Sequence, residues 1–121
     1  METAMATTGI EARVRHSGRT AIIDLPPLVD AASEAPVSKA YQDAAARDPR
    51  TVLLNFSGVE YINSTGIAVI VGLLARARTE GRTVATCGLS PHYREIFEVT
   101  RLADFMTMYD DEAAAVTKVE G

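Results

Sequence analysis

Between Pro49 and Gly58 the chain carries TVLLNF, a run rich in β-formers with no polar–apolar alternation. Such a run, bounded by turn signals, suits a strand buried on both faces, as in parallel sheets with helices packed on them. Few folds accept such a strand, and the flanking sequence narrows the choice further.

Upstream, Glu11–Val14 and Ala21–Leu25 have the composition of two short strands around His16-Ser17-Gly18-Arg19, an antiparallel hairpin ended by Pro26 and Pro27. Residues 35–47 are Ala-rich, with Val37, Ala40, Tyr41 and Ala44 at helical spacing, and Asp48-Pro49 closes that helix. Downstream of the central strand, a helix is expected over Ser64–Glu80, ending at Gly81. Thr83–Cys87 predicts a further strand. Ser90-Pro91 opens a helix to about Val99, with serine as N-cap and proline at its first position. Phe105–Tyr109 predicts a short last strand. Asp110-Asp111-Glu112 begins a final helix, its acids placed where the helix dipole favours them. The order β-β-α-β-α-β-α-β-α predicts an α/β domain: a mixed β-sheet of four to five strands with about four helices packed on it.

With 121 residues, 47% of them hydrophobic and 23% charged, the chain has the size and composition of one globular domain. Residues 1–9 are expected to form a disordered leader, 10–117 the domain and 118–121 a short tail. A net charge of −4, with only Lys39 and Lys118 as lysines and the arginines scattered, argues against nucleic acid as a partner. Cys87 is the only cysteine and lies in an apolar run, so it is expected in the core rather than as a reactive thiol. The N-terminus lacks the charged and apolar regions of a signal peptide, and the longest apolar run, Ile67–Ala75, is too short to span a bilayer. A cytoplasmic location is expected, so the sequons at Asn55 and Asn63 are accidental. Nothing in the sequence calls for a cofactor or a metal.

In open α/β sheets ligands bind beyond the carboxyl ends of strands. The loop Ser57–Thr65 has that position and leads into a helix through Asn63-Ser64-Thr65-Gly66. Either hydroxyl, Ser64 or Thr65, is a good N-cap there, stabilising by roughly 1 kcal/mol. A serine nucleophile needs an oriented base. The only histidines are His16, in the predicted hairpin turn, and His92, just inside a later helix, and no G-x-S-x-G is present. The chain is therefore not expected to be an enzyme.

On a wheel of about 100° per residue the helix after Gly66 has two apolar sides. Ile67, Ile70, Val71 and Leu74 form a core stripe, while Val69 and Leu73 fall nearly opposite, beside Arg76. Two readings of the second stripe stand: another element of the domain covers it, or it is a docking surface for a partner, with Val69, Leu73 and Arg76 as the contact residues.

The segment FSGVEYINSTGIAVIVGLLARAR resembles the signature region of the STAS domain, in particular of the bacterial anti-sigma factor antagonists. Val59, Tyr61, Ile62, Ser64, Thr65, Gly66 and Ile67 match its pattern, and the run Ile96-Phe97…Thr100…Leu102 with an acid-led last helix extends the resemblance over residues 10–117. The resemblance implies a STAS-type fold and a binding module that is a kinase substrate. By position it implies Ser64 as phospho-acceptor, with Thr65 as the alternative and Asn63 and Gly66 as its neighbours in the switch loop. The implied partners are an anti-sigma factor that is also a serine kinase of the GHKL ATPase type, and a PP2C-type phosphatase that reverses the modification. The family's usual aspartate is Asn63 here. A STAS scaffold or transporter-associated subunit in which Ser64 only caps the helix is the alternative.

A phosphoserine at a helix start adds roughly −1.5 to −2 charges. Free N–H groups and the helix dipole favour this by roughly 0.3–1 kcal/mol, so the domain should stay folded. Across an interface the same charge must be desolvated, at a cost of several kcal/mol. Phosphorylation is expected to release the partner without refolding the domain.

Overall fold

The computed structural model describes residues 11–120. Within these residues seven strands and four α-helices follow in the order β1 (Arg13–Ser17), β2 (Thr20–Asp24), β3 (Leu28–Val29), α1 (Glu34–Ala45), β4 (Thr51–Asn55), β5 (Tyr61–Ile62), α2 (Ser64–Thr79), β6 (Thr83–Cys87), α3 (Pro91–Val99), β7 (Thr107–Tyr109) and α4 (Glu112–Glu120). The main sheet has five strands in the order β1-β2-β4-β6-β7, and only β1 runs antiparallel to its neighbour. The mixed sheet with four helices is as expected.

β4 lies at the centre, and Val52, Leu53 and Leu54 are all fully buried. One face of the sheet, carrying Ala21, Ile23, Val52, Leu54 and Val84, packs against α1, α2 and α3. The other face, carrying Ile22, Leu53, Ala85 and Cys87, is covered through Ala115 of α4. The unalternating TVLLNF run thus meets apolar cover on both sides.

Three boundaries differ from expectation. The hairpin turn is only Gly18-Arg19, with Gly18 at φ 58°, so His16 lies within β1 opposite Ala21 and not in the turn. Leu102–Phe105 forms a 3-10 helix, which shortens the last strand to Thr107–Tyr109. The last helix continues to Glu120, so residues 118–120 extend it instead of forming a tail. The expected leader lies outside the described residues.

β3 and β5 are not among the strands expected from the sequence. Each is two residues long, and they pair in parallel, Leu28 with Tyr61 and Val29 with Ile62. Ser33, in the 3-10 turn that leads into α1, donates its hydroxyl to the Leu28 carbonyl at 2.7 Å and so anchors β3.

At the carboxyl ends of the strands, on the α4 face, Arg15 grips two carboxylates. Its guanidinium donates to both oxygens of Asp24 (2.6 and 2.7 Å) and to both of Glu112 (2.7 and 2.9 Å). Asn55 Nδ2 donates to Asp24 at 2.7 Å. The hydrogen bonds from Arg15 hold the Glu112 carboxyl below its usual value. For Asp24, burial works upward, but hydrogen bonds from Arg15 and Asn55 outweigh it and hold that carboxyl low as well. These contacts tie the first hairpin to the head of α4.

Candidate functional site

The loop after β4 turns at Ser57, whose N–H and hydroxyl both donate to Asn55 Oδ1 (3.1 and 2.8 Å). Gly88, at φ 76°, lies against this residue, and a Cβ there would come within 2.7 Å of the Ser57 nitrogen. The chain then returns along β3. The N–H groups of Glu60 and Tyr61 donate to Pro27 O (2.7 and 3.1 Å), and that of Asn63 donates to Val29 O (3.3 Å).

α2 starts directly after Asn63. The Asn63 backbone is extended (φ −93°, ψ −177°), and its Oδ1 accepts from Gly66 N at 2.8 Å. Its carbonyl accepts the first intrahelical bond, from Ile67 N at 2.9 Å. The cap is therefore Asn63 and not Ser64 or Thr65. The physical reason is register: β5 delivers Asn63 in the extended conformation a cap requires, which leaves Ser64 as the first helical residue.

Gly66 has its own necessity. A Cβ there would lie 1.9 Å from the Val29 carbonyl oxygen, so only glycine lets the first turn of α2 sit on β3. Relieved of capping, Ser64 and Thr65 are both exposed at the head of the helix.

The flanks of α2 correct the wheel. Leu73 is only 4% exposed and belongs to the core, because α1 packs along that side with Val37 and Tyr41. Arg76 extends over the Tyr41 ring at 4.6 Å and donates to Ser38 Oγ at 3.1 Å. Val69 is half-buried in the same seam. Leu73 is thus not a free docking residue, and the second stripe is chiefly a helix–helix contact. Conversely Val71, expected in the core, is 41% exposed. The open face of α2 carries Ser64, Ala68, Val71, Gly72 and Ala75. At 100° per residue these share one side of the helix, with Ser64 at its head. Beside that head, Leu28 and Tyr61 are paired across β3 and β5 and are 48% and 56% exposed.

Other candidates are structural. Burial, followed by the charges of Glu112 and Asp24, pushes the Cys87 thiol up to about 11, so it is an unreactive core thiol at neutral pH. Among the described residues, no group of three or more His, Cys, Asp or Glu side chains could hold a metal, and no helix is long and apolar enough to cross a membrane.

The STAS domain family matches residues 11–115, nearly the whole of the described chain. The chain belongs to the STAS domain family. Among curated proteins this STAS domain is similar to the anti-sigma F factor antagonist of Paenibacillus polymyxa, 26% identical over 69 residues that cover 57% of this chain and 59% of that protein. It is also similar to the putative anti-sigma factor antagonist BtrV of Bordetella bronchiseptica, 34% identical over 67 residues covering 54% and 58%. The matched part is thus less than two thirds of either relative's length. Among solved structures, the Bacillus anti-sigma factor antagonist SpoIIAA has the same fold in two states. Its unphosphorylated form aligns with a TM-score of 0.73 at 18% identity, covering 91% of this chain and 98% of that one. Its phosphorylated form aligns with a TM-score of 0.70 at 18% identity, covering 89% and 98%.

Proposed function

We propose that this STAS domain is an anti-sigma factor antagonist. Unphosphorylated, it binds an anti-sigma factor that is also a serine kinase of the GHKL type and thereby frees a sigma factor. Phosphorylation of Ser64 releases it, and a PP2C-type phosphatase restores it. It acts in the cytoplasm as a binding module and kinase substrate, with no catalytic residues of its own.

The observation that carries this reading is the division of labour at the head of α2. Asn63 supplies the cap, so the Ser64 hydroxyl is exposed and not needed to hold the helix. Modification there leaves the cap intact. A phosphate lands beside the free N–H groups of the first turn, which tolerate it. The same hydroxyl heads the open face Ala68–Val71–Ala75, whose small side chains admit close approach of a partner. A dianion at the edge of a docked face must be desolvated, so the interface loses more than the fold gains. The curated relatives named above are anti-sigma factor antagonists, and SpoIIAA keeps its fold in both phosphorylation states, which agrees with release without refolding.

Wild type, Ser64→Ala and Ser64→Asp used as baits, with captured proteins read by mass spectrometry, should retrieve an ATP-binding anti-sigma factor with wild type and lose it with Ser64→Asp. Incubation of that kinase and ATP with wild type and Ser64→Ala should label Ser64 alone. Equal incorporation in both proteins would refute the assignment, and label on Thr65 would move it by one residue.

A further inference from the structure

We propose that Tyr93 is a positioning residue for the Ser64 switch loop, acting through the backbone of Ile62; its consequence for signalling rests on the reading of Ser64 given above. Among the described residues β5 has one neighbouring strand, β3. Its outward N–H groups, those of Tyr61 and Asn63, bond to the β3 segment. Alternation along a strand turns the Ile62 N–H the other way, where no second strand of the described residues lies. The Tyr93 hydroxyl fills that place. It accepts from Ile62 N at 2.9 Å and faces the Ile62 carbonyl at 3.5 Å, within a buried environment.

One phenol from α3 thus substitutes for the missing strand on the far side of β5. Tyr93 is itself 9% exposed, and its N–H is held by the Ser90 cap at 3.3 Å, so the hydroxyl is delivered from a fixed helix start. Ile62 is followed immediately by the Asn63 cap and then by Ser64. With β3 on one side and Tyr93 on the other, the peptide that sets the cap angle has no freedom to swing. Ser64 and the free N–H groups of the first turn therefore keep one mutual orientation, which is what a kinase must recognise and a phosphate must meet.

Tyr93→Phe removes the hydroxyl and keeps the ring. Tyr41→Phe is the matched control, because Tyr41 donates its buried-side hydroxyl to Glu80 at 2.6 Å, at the opposite end of α2. In amide hydrogen exchange of the full chain, Tyr93→Phe should speed Ile62 and Gly66 by about tenfold or more beyond any change at Val52–Leu54. Tyr41→Phe should leave the two groups of amides in step. The second measurement reads the switch itself: phosphoserine encoded at position 64 is titrated by phosphorus NMR. The ordered helix head favours the dianion, so its midpoint near 6 should rise by about 0.3 pH units in Tyr93→Phe and stay put in Tyr41→Phe. A fluorotyrosine at position 93, which keeps the fold and makes the hydroxyl a weaker acceptor, should give smaller changes at the same places. Exchange that rises only in step with Val52–Leu54, or an unchanged phosphate midpoint, would overturn the proposal. Neither measurement uses a kinase. Failure of Ser64 labelling would remove the switch reading and leave the clamp standing, whereas failure here would remove the clamp alone.

Discussion

Asn63 differs from the family's usual aspartate by a charge, yet it keeps the oxygen that accepts from Gly66. Asparagine and aspartate cap helices about equally well. Asn63→Asp should therefore leave the melting temperature nearly unchanged, while Asn63→Ala should lower stability by about 1 kcal/mol. The carboxylate would sit next to the phosphate on Ser64, so Asn63→Asp is expected to change the rate of labelling by kinase and ATP; an unchanged rate would make the substitution neutral for signalling. A second residue carries a liability of its own. The Thr86 hydroxyl is fully buried and, among the described residues, has no hydrogen-bond partner. Thr86→Val replaces it with a methyl of similar shape and should raise stability by about 1 kcal/mol in denaturant titration. The sequence points to Ser64 or Thr65 as the cap and misses Asn63, because residues of capping type stand three in a row there. The choice is made by β5, whose two residues have no local signature and form only because Pro27 and Val29 offer carbonyls alongside.

Helix α2 has one side in the core, one against α1 and one open, and single substitutions separate these sides. Leu73→Glu would bury an unpaired carboxylate beside Tyr41 and Val37 and should destabilise the fold by about 3 kcal/mol or more, seen as a collapsed thermal transition. Val71→Glu, on the open face, should shift stability by no more than about 0.5 kcal/mol. In a titration with the anti-sigma factor the same Val71→Glu should weaken binding by about 2 kcal/mol. Preserved binding in Val71→Glu would move the docking surface off this face. Elements with strong local signals were legible: β4 and β6 from apolar β-rich runs, and α3 from Ser90-Pro91, which caps it through Tyr93 N. The side assignment of α2 was not legible. The wheel separated Val69 and Leu73 correctly from Ile70 and Leu74, but where α1 would pack is a tertiary fact. That packing turned a candidate docking residue into core and left Val71 outside.

Among the described residues, the sheet divides a thick side, built by α1, α2 and α3, from a thin one closed by α4. The Arg15 clasp on Asp24 and Glu112 reinforces the thin side. Both carboxyls titrate below their unfolded values, so their contribution is fully present above the unfolded value of about 4 and is lost as pH falls through the folded values. The clasp is partly exposed, so Glu112→Gln should lower stability by only about 0.5–1 kcal/mol at pH 7. Melting curves from pH 7 to pH 2 should show that difference constant down to about pH 4 and vanishing below it. The Ser64 end of the molecule lies on the thick side, where α2 is seated on β3 through Gly66 and held along α1. Such a seat favours a phosphate that acts at the interface and not by refolding. The central claim is tested most directly by calorimetric titration of the anti-sigma factor kinase with wild type and with protein carrying phosphoserine at position 64, each also melted alone. The account predicts equal melting temperatures within about 3 °C and an affinity lower by a factor of about one hundred or more for the phosphorylated protein. Equal affinities, or weakened binding accompanied by a collapsed melting temperature, would contradict it.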